Sequence, residues 1–456
     1  MKNSSKQSVK MDMLHGSLFD KMLMFAMPLA ACSILQQLFN SVGTAVVGRF
    51  ASSEALAAVG SNSSVIALMV TLFSGISLGS NVVIANYIGQ NDTKRIPRVV
   101  HTAVSLALLS GVFLLILGQF VAHPILLLMG APKDIIHLAT LYLRIYFLGM
   151  PFFMLYDFGA SILRSIGDTR RPMYALIVSG VVNVILNLLF VVVFHMGVAG
   201  AGLATVGANA TSAIQILYFL THEELPIRLS FKSLTIDHDA VSKILKIGVP
   251  AGLQGMVFSL ANVCIQSGIN SFGAGGIAGS AVELNYEYFA YYLVNAFAQT
   301  VVTFTGQNYG AKRYDRVRRG YFCAIAMTAA WGLCTTFLLI GMARPLFSIF
   351  LQEEEVMAIG VNYLRIVGLS QMFMMVEQTS IGAFSGLGRT LYPSIVSVTF
   401  TSARIPVAVL LSSVMGLSGI WWALSISSMV KGCILFVSFV VFLYVFLERK
   451  KDEETV

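Results

Sequence analysis

Charged residues are scarce in this chain of 456 residues. Asp, Glu, Lys and Arg together make up only 11% of it, whereas 56% is hydrophobic, and the mean hydropathy is +0.78. A soluble chain carries about 25% charged residues. Apolar runs close to the roughly 20 residues that cross a bilayer recur along the whole length, for example at 99–121, 173–194 and 394–415. The sequence therefore predicts an all-α membrane protein with many spans.

Motifs for metals, nucleotides and metal-dependent hydrolysis are missing as well. The five cysteines stand in apolar segments without a Cys-x-x-Cys pair, which argues against a disulfide framework and a zinc site. The glycine-rich stretch 273–279 lacks the Gly-Lys-Ser/Thr of a phosphate-binding loop, and we predict a tight outer turn there. A His-Glu-x-x-His motif is absent too. We therefore expect no enzyme, no cofactor, no certain metal site and no nucleotide as energy source.

Twelve membrane spans are predicted, and their orientation follows from lysine and arginine placement. If the N-terminus is cytoplasmic, 23 of the 30 basic residues lie in or at the edges of cytoplasmic segments. Only Arg49, Lys133 and Arg344 lie in outer loops. We expect a multi-pass protein of the cell inner membrane or plasma membrane with both termini cytoplasmic. The basic rim would face anionic lipid, so membrane lipids are expected partners and nucleic acid is not. The predicted spans are 22–47, 56–82, 98–121, 137–162, 172–194, 198–220, 244–270, 276–304, 321–342, 357–384, 393–414 and 418–446.

The two halves of the chain resemble each other. The tetrapeptide YLRI at 142–145 recurs at 363–366, and the same offset of 221 aligns Gly167 with Gly388. Six spans per half give both halves the same orientation, which is typical of transporters built from parallel repeats. We predict two parallel six-helix repeats that form two lobes around a central cleft. The N-lobe would cover 1–221, the cytoplasmic linker 222–243 and the C-lobe 244–456.

Three stretches carry a family resemblance: ILRSIGDTRRPM (162–173), IANYIGQNDTKR (84–95) and FTGQNYGAKRYDRVRRG (304–320). They resemble the signatures of the MATE family, the multidrug and toxic compound extrusion transporters, over roughly 21–447. The resemblance implies an antiporter that exports cationic or amphipathic organic compounds in exchange for Na⁺ or H⁺ by alternating access. We expect a monomer, although the sequence leaves the oligomeric state open. Many members read Asn-x-Val-Asp-Thr in the first span, where the acid is proposed to bind the coupling cation. Here Gly43 stands in its place, so other acids must carry that role.

The predicted eighth span contains two acids, Glu283 and Glu287. Their spacing of four residues places them on one helix face. An ionised side chain at the bilayer centre costs at least roughly 3 kcal/mol, so we expect both to face the cleft rather than lipid. A carboxylate there can bind a proton or share its oxygens with a metal cation. Glu287 lies deeper and is the first candidate for cation coupling, while Glu283 is either the second or a hydrogen-bonding group near the outer interface.

Two more acids lie within spans, Asp157 in the fourth and Glu377 in the tenth. Ionisable residues inside a membrane are functional candidates by default. We therefore add both to the cation-coupling candidates. For Asp157 a local salt bridge with Arg164 is the alternative.

Candidate substrate contacts come from amides and aromatic residues in three spans. Amides at matching places in the first and seventh spans are candidates to line the path, although amides in membrane helices also hold helices together. Aromatic rings near Glu287 could stack on a flat organic cation, or could pack between helices. The predicted substrate-binding residues are Asn40, Gln36, Tyr286, Tyr291, Asn262 and Gln266.

One alternative from a related group of transporters is a flippase for a lipid-linked precursor. Such a cavity is expected to be rich in cations that hold a pyrophosphate. The candidate ionisable groups near the middle of the membrane are mostly acids, which favours a small cationic organic substrate instead.

Overall fold

The computed structural model describes residues 11–128, 134–224, 226–348 and 354–447, and helices dominate them. Two π-helical segments, Leu188–Val193 and Leu443–Leu447, continue α6 and α15, and a 3₁₀ turn at Phe231–Ser233 precedes α8. The helices are α1 Leu18–Phe50, α2 Ser53–Gly89, α3 Arg95–Leu128, α4 Ile136–Leu148, α5 Met150–Ser165, α6 Arg170–Asn187, α7 Gly197–Thr221, α8 His238–Asn270, α9 Gly273–Gly310, α10 Tyr314–Gly341, α11 Ala343–Ser348, α12 Glu354–Gly368, α13 Gln371–Gly386, α14 Leu391–Met415 and α15 Leu417–Phe442.

The number of spans agrees with the sequence. Nine helices in the described residues are long and apolar enough to cross a membrane. The pairs α4–α5 and α12–α13 each form one further span, bent by 48° and 45° at a short break. The 38-residue helix α9 coincides with the remaining predicted span, 276–304. The prediction of an all-α membrane protein is confirmed, and the described helices give eleven to twelve spans, two of them bent at a short break.

The internal repeat is visible in the backbone. The two bent spans break after Leu148 and near Leu369, which the offset of 221 places at equivalent positions. The turns that follow α2 and α9 contain Asn91 and Lys312, again 221 residues apart, with φ of 55° and 57°. Positive φ is uncommon outside glycine. A rare conformation at matched positions shows that the two repeats end these helices in the same way.

One local prediction is wrong. The glycine-rich stretch 273–279 does not form a turn, because it is the first part of α9, which begins at Gly273. The turn lies just before it, at Ser271 and Phe272. Glycine costs a helix about 1 kcal/mol in water, but it is frequent in membrane helices, so a run of glycines does not end a helix there.

The chain folds into two compact units that differ in extent from the predicted lobes. Unit 1 comprises Met1–Asp12 and Pro28–Gly252, and unit 2 comprises Met13–Met27 and Leu253–Val456. The chain passes from one unit to the other within α1 and within α8, and each of these helices has an internal proline near that point, Pro28 and Pro250. The lobe boundaries inferred from the repeat stay a prediction.

In unit 1, α2 crosses the first part of α8 at a glycine seam formed by Gly75, Gly79, Gly248 and Gly252. A Cβ added to Gly75 would lie 2.3 Å from the backbone nitrogen of Gly252. A Cβ added to Gly79 would lie 2.4 Å from the carbonyl oxygen of Ile244. Small residues allow membrane helices to approach this closely, so the spacing of four between glycines on each helix determines how the two pack.

The seam also explains a motif that otherwise suggests catalysis. Residues 75–79, Gly-Ile-Ser-Leu-Gly, match the Gly-x-Ser-x-Gly pattern of serine hydrolases, in which the serine sits on a sharp turn between a strand and a helix. Ser77 instead lies inside α2, is 1% exposed, and shares a hydrogen bond of 2.7 Å with the hydroxyl of Ser161. It is a packing residue.

Gly75→Ala is expected to lower the melting temperature of the purified protein clearly. The added methyl group must push apart two backbones in contact, and overpacking of this kind costs about 1–3 kcal/mol. The matched control is Gly60→Ala in the same helix, where a Cβ meets nothing within 4 Å. It should leave the melting temperature unchanged or raise it, since alanine favours the helix. Equal effects of both substitutions, read in one thermal unfolding assay, would contradict the seam.

Candidate cation-coupling site

In unit 2, Glu287 lies near the middle of α9 and is half-buried. Its charged neighbour is Arg404 of α14, and the two charges interact. Arg404 is 5% exposed. Its Nη2 donates a 2.6 Å hydrogen bond to Oδ1 of Asn262 in α8, and its guanidinium lies 5.3 Å from the ring centroid of Phe258. Two side chains of α8 therefore fix the position of the guanidinium whose charge interacts with that of Glu287.

The second acid of unit 2 has a partner of its own. Nζ of Lys431 in α15 lies 2.9 Å from Oε1 of Glu377 in α13, and both side chains are only 4% exposed. The same ammonium lies 3.5 Å from Oγ1 of Thr401 in α14. Breaking a buried ion pair by removing one partner costs about 3–5 kcal/mol. The pair therefore links α13 and α15 strongly as long as both residues keep their charge.

Tyr291 lies near both acids. It follows Glu287 by one turn in α9, and it packs against a group that includes a residue of α13, the helix of Glu377. Its ring packs against an apolar group formed by Ala290, Val294 and Met375. We call Glu287, Glu377, Arg404, Lys431, Tyr291 and Asn262 the acid–base cluster. With both acids and both bases ionised its net charge is zero, which is the condition under which four charges can lie together in a membrane.

Two predicted substrate contacts of unit 2 join the cluster and two do not. Asn262 and Tyr291 are members. The hydroxyl of Tyr286 donates a 2.9 Å hydrogen bond to the carbonyl oxygen of Leu346, at an apolar group of α10 to α12. Nε2 of Gln266 donates to Oδ1 of Asn270 within α8. The side chain of Glu283 lies outside the described part of the chain, so its place relative to Glu287 stays a prediction.

The predicted residues of unit 1 are not assembled into a comparable cluster. Asp157 in α5 has the hydroxyls of Ser74 and Ser77 beside its carboxylate, and its charge interacts with that of Arg164. Its Oδ2 is buried without a hydrogen-bond partner. Gln36 and Asn40 are exposed on α1. The salt bridge of Asp157 with Arg164, which the sequence left as an alternative, stays a prediction.

Gly43 lies opposite two amides. A Cβ added to it would lie 3.5 Å from Nδ2 of Asn187 and 3.9 Å from Oδ1 of Asn183, both in α6. These are ordinary contact distances. Oδ1 of Asn187 is buried without a partner. A side chain at this position would therefore point toward the two amides of α6.

Sequence reasoning assigned no role to two members of the cluster, Arg404 and Lys431. Both are basic residues inside predicted spans, and a base in the membrane is as costly as an acid. The signal was therefore present, because intramembrane acids and bases are expected to pair. The particular pairs were not predictable, since Arg404 and Asn262 are 142 residues apart.

Comparisons with known proteins agree with this architecture. The MatE family model matches residues 28–189 and 250–410, one match in each half of the chain. The probable multidrug resistance protein YoeA of Bacillus subtilis (strain 168) is 28% identical over 431 residues, 92% of this chain and 93% of YoeA.

Solved structures share the fold. The outward-facing structure of a multidrug resistance MATE family transporter of the MOP superfamily matches with a TM-score of 0.89 at 22% identity, over 98% of this chain and 100% of that one. A MOP superfamily transporter from Pyrococcus furiosus Vc1 (DSM3638), for which reverse polarity of the binding pocket suggests a different function, also matches with a TM-score of 0.89 at 21% identity, over 98% of this chain and 100% of that one.

Proposed function

This chain belongs to the MatE family of multidrug efflux transporters, and we propose that it exports cationic or amphipathic organic compounds in exchange for Na⁺ or H⁺. Alternating access between two parallel repeats would carry the exchange. Both termini would be cytoplasmic and the protein would act as a monomer in the cell membrane. The observation that carries the proposal is the half-buried carboxylate of Glu287 inside a predicted membrane span, where its charge interacts with that of the buried Arg404.

Glu287 suits the role of coupling residue because Arg404 balances its negative charge only in part. Arg404 interacts with Glu287 and Glu377 and donates to Asn262. A proton or a sodium ion that binds Glu287 replaces part of the stabilisation that Arg404 supplies. Binding therefore weakens the interaction between α9 and α14. A local change of charge of this kind shifts the equilibrium between two conformations of a protein.

Substrate contacts are proposed at the same place. Tyr291 presents an aromatic ring one turn after the Glu287 carboxylate in α9, and an organic cation is attracted by both the ring and that carboxylate. Asn262 is the neighbouring amide. Substrate and coupling ion would then compete for the same negative charge, which makes exchange obligatory. Gln36, Asn40, Gln266, Tyr286, Glu283 and Asp157 stay predictions from the sequence.

A flippase for a lipid-linked precursor is less well supported by this geometry. A pyrophosphate needs basic side chains whose charge is available. In the acid–base cluster Lys431 is bound by Glu377, and Arg404 is shared between Glu287 and Asn262. Each base is already balanced by an acid, so an anionic substrate would have to displace a carboxylate from it.

Transport of ethidium into inside-out proteoliposomes tests the proposal. We expect ethidium to accumulate when a sodium gradient or a proton gradient is imposed without nucleotide. An ionophore that collapses the driving gradient should abolish this accumulation. Comparing the two gradients identifies the coupling ion. Accumulation that requires ATP and ignores both gradients would contradict secondary transport.

A further inference from the structure

The ammonium of Lys431 is surrounded by oxygen atoms in the way that a bound cation would be. It lies among oxygens from two other helices, 2.9 Å from the Glu377 carboxylate and 3.5 Å from the Thr401 hydroxyl. A lysine ammonium is a compact point charge. Since both side chains are only 4% exposed, water does not share this contact to any large extent. The carboxylate of Glu377 is therefore occupied by a positive charge that belongs to the protein.

The other acid of the cluster differs in this respect. Glu287 is half-buried. Its basic neighbour Arg404 interacts with Glu377 as well as with Glu287, and it donates a hydrogen bond to the amide of Asn262. An external cation can approach Glu287 without first removing a resident ammonium. At Glu377 it would have to displace Lys431 and leave that ammonium buried without its partner, which is strongly unfavourable.

We propose that Lys431 is a resident cation for Glu377 and thereby determines how many external cations the transporter exchanges for each substrate. The Glu377–Lys431 pair would contribute none, and Glu287 would be the acid of the cluster that exchanges the coupling ion. This inference rests on the proposed function, because it concerns the stoichiometry of that exchange.

Removing Lys431 should create a second site for an external cation. In Lys431→Met the carboxylate of Glu377 keeps the Thr401 hydroxyl nearby but loses its positive charge, so a proton or a sodium ion takes that place. The variant should exchange one more cation per substrate than the wild type. Lys431→Arg keeps the charge and should keep the stoichiometry.

The double variant Glu377→Gln/Lys431→Met removes the acid and the base together. It leaves no unpaired charge, so its melting temperature should exceed that of Glu377→Gln, in which Lys431 is buried without its partner. It should also transport ethidium with the same stoichiometry as the wild type. A structural ion pair alone explains the stability of the double variant, but it does not predict the extra cation in Lys431→Met.

The experiment is steady-state accumulation of ethidium in inside-out proteoliposomes with the membrane potential clamped at zero. With a tenfold gradient of the ion that drives the wild type, one additional exchanged cation raises the limiting ethidium ratio by about tenfold. We expect this increase in Lys431→Met, and the wild-type ratio in Lys431→Arg and in the double variant. Thermal unfolding of each variant is recorded in parallel.

Three results would overturn the inference. An unchanged ratio in Lys431→Met, or a folded Lys431→Met without transport, would show that the ammonium does not stand in for an external cation. A folded double variant without transport would show that Glu377 itself exchanges the coupling ion. If Lys431→Met does not fold, Lys431→Gln, which also removes the ammonium but keeps a polar side chain, takes its place with the same expected tenfold increase. A wild type that fails to accumulate ethidium under either gradient would instead remove the proposed function, and this inference with it.

Discussion

Glu287→Gln is expected to abolish exchange of ethidium for the coupling ion in proteoliposomes. Glutamine has the size of glutamate but neither ionises nor holds a cation, so the interaction with Arg404 and the site for the ion disappear together. Interactions of charged groups of this kind contribute about 1.5–3 kcal/mol, which corresponds to a loss of roughly 10- to 100-fold. Because the ion must bind on every cycle, we expect the loss at the upper end of this range.

The control for Glu287→Gln is Glu224→Gln, which removes the same charge from an exposed position after α7. It should transport like the wild type. Thermal unfolding of both variants separates lost coupling from lost structure. A folded Glu287→Gln protein that transports at the wild-type rate would exclude Glu287 as the coupling residue.

The second large effect is expected for stability, at Asp168 in the family motif IGDTRRP. Its side chain is fully buried. Its Oδ1 accepts hydrogen bonds of 3.1 Å from the backbone N–H groups of Arg170 and Arg171, which begin α6. Its Oδ2 accepts from Nε of Arg171, whose Nη1 binds Glu223 in turn. Asp168 therefore caps α6. Through Arg171 it is also connected to Glu223, in the segment that follows α7.

Asp168→Ala should therefore lower the free energy of unfolding by about 3–5 kcal/mol, the cost of breaking a buried ion pair, with loss of the helix cap adding to it. The chain provides a matched control, because Asp92 precedes α3 in the similar sequence NDTKR. Its Oδ1 also accepts from two backbone N–H groups, of Lys94 and Arg95.

The control differs from Asp168 in exposure. The side chains of Asp92 and Arg95 are 27% and 58% exposed, and their charged atoms are 3.5 Å apart. Exposed pairs contribute at most about 1 kcal/mol, so Asp92→Ala should lose little beyond the cap. Denaturant unfolding of the two alanine variants in the same detergent measures the difference. Similar losses in both would show that burial of the Asp168–Arg171 pair is unimportant.

The sequence predicted the spans well because each is a long apolar run, and hydropathy is the strongest signal in a membrane protein. It did not predict the breaks within two spans. Gly149 with Pro151 and Gly368 with Ser370 lie at the two breaks, where the helices bend by 48° and 45°, but glycine and proline are also tolerated inside membrane helices, so they did not mark a break. The glycines of 273–279 suggested a turn because glycine weakens helices in water, and this rule does not hold in lipid.

The candidate site was predicted in part. The cost of a charge in the membrane identified Glu287 and Glu377, and helical spacing placed Tyr291 beside Glu287. Periodicity gives the face of one helix but not its partner on another, so the pairing of Glu377 with Lys431 and of Arg404 with Asn262 came only from the structure. The sequence showed that Gly43 replaces the acid of other family members. It could not show that two amides of α6 lie next to this glycine.

The central claim is that substrate and ion move in exchange through Glu287. The most direct measurement is the ion flux that ethidium itself drives, recorded with a pH-sensitive dye or with radioactive sodium in proteoliposomes that start without an ion gradient. We predict that an ethidium gradient moves the coupling ion in the opposite direction through the wild type and moves none through Glu287→Gln. Ethidium transport by the wild type without any accompanying ion flux, or equal ion flux in both proteins, would contradict the account.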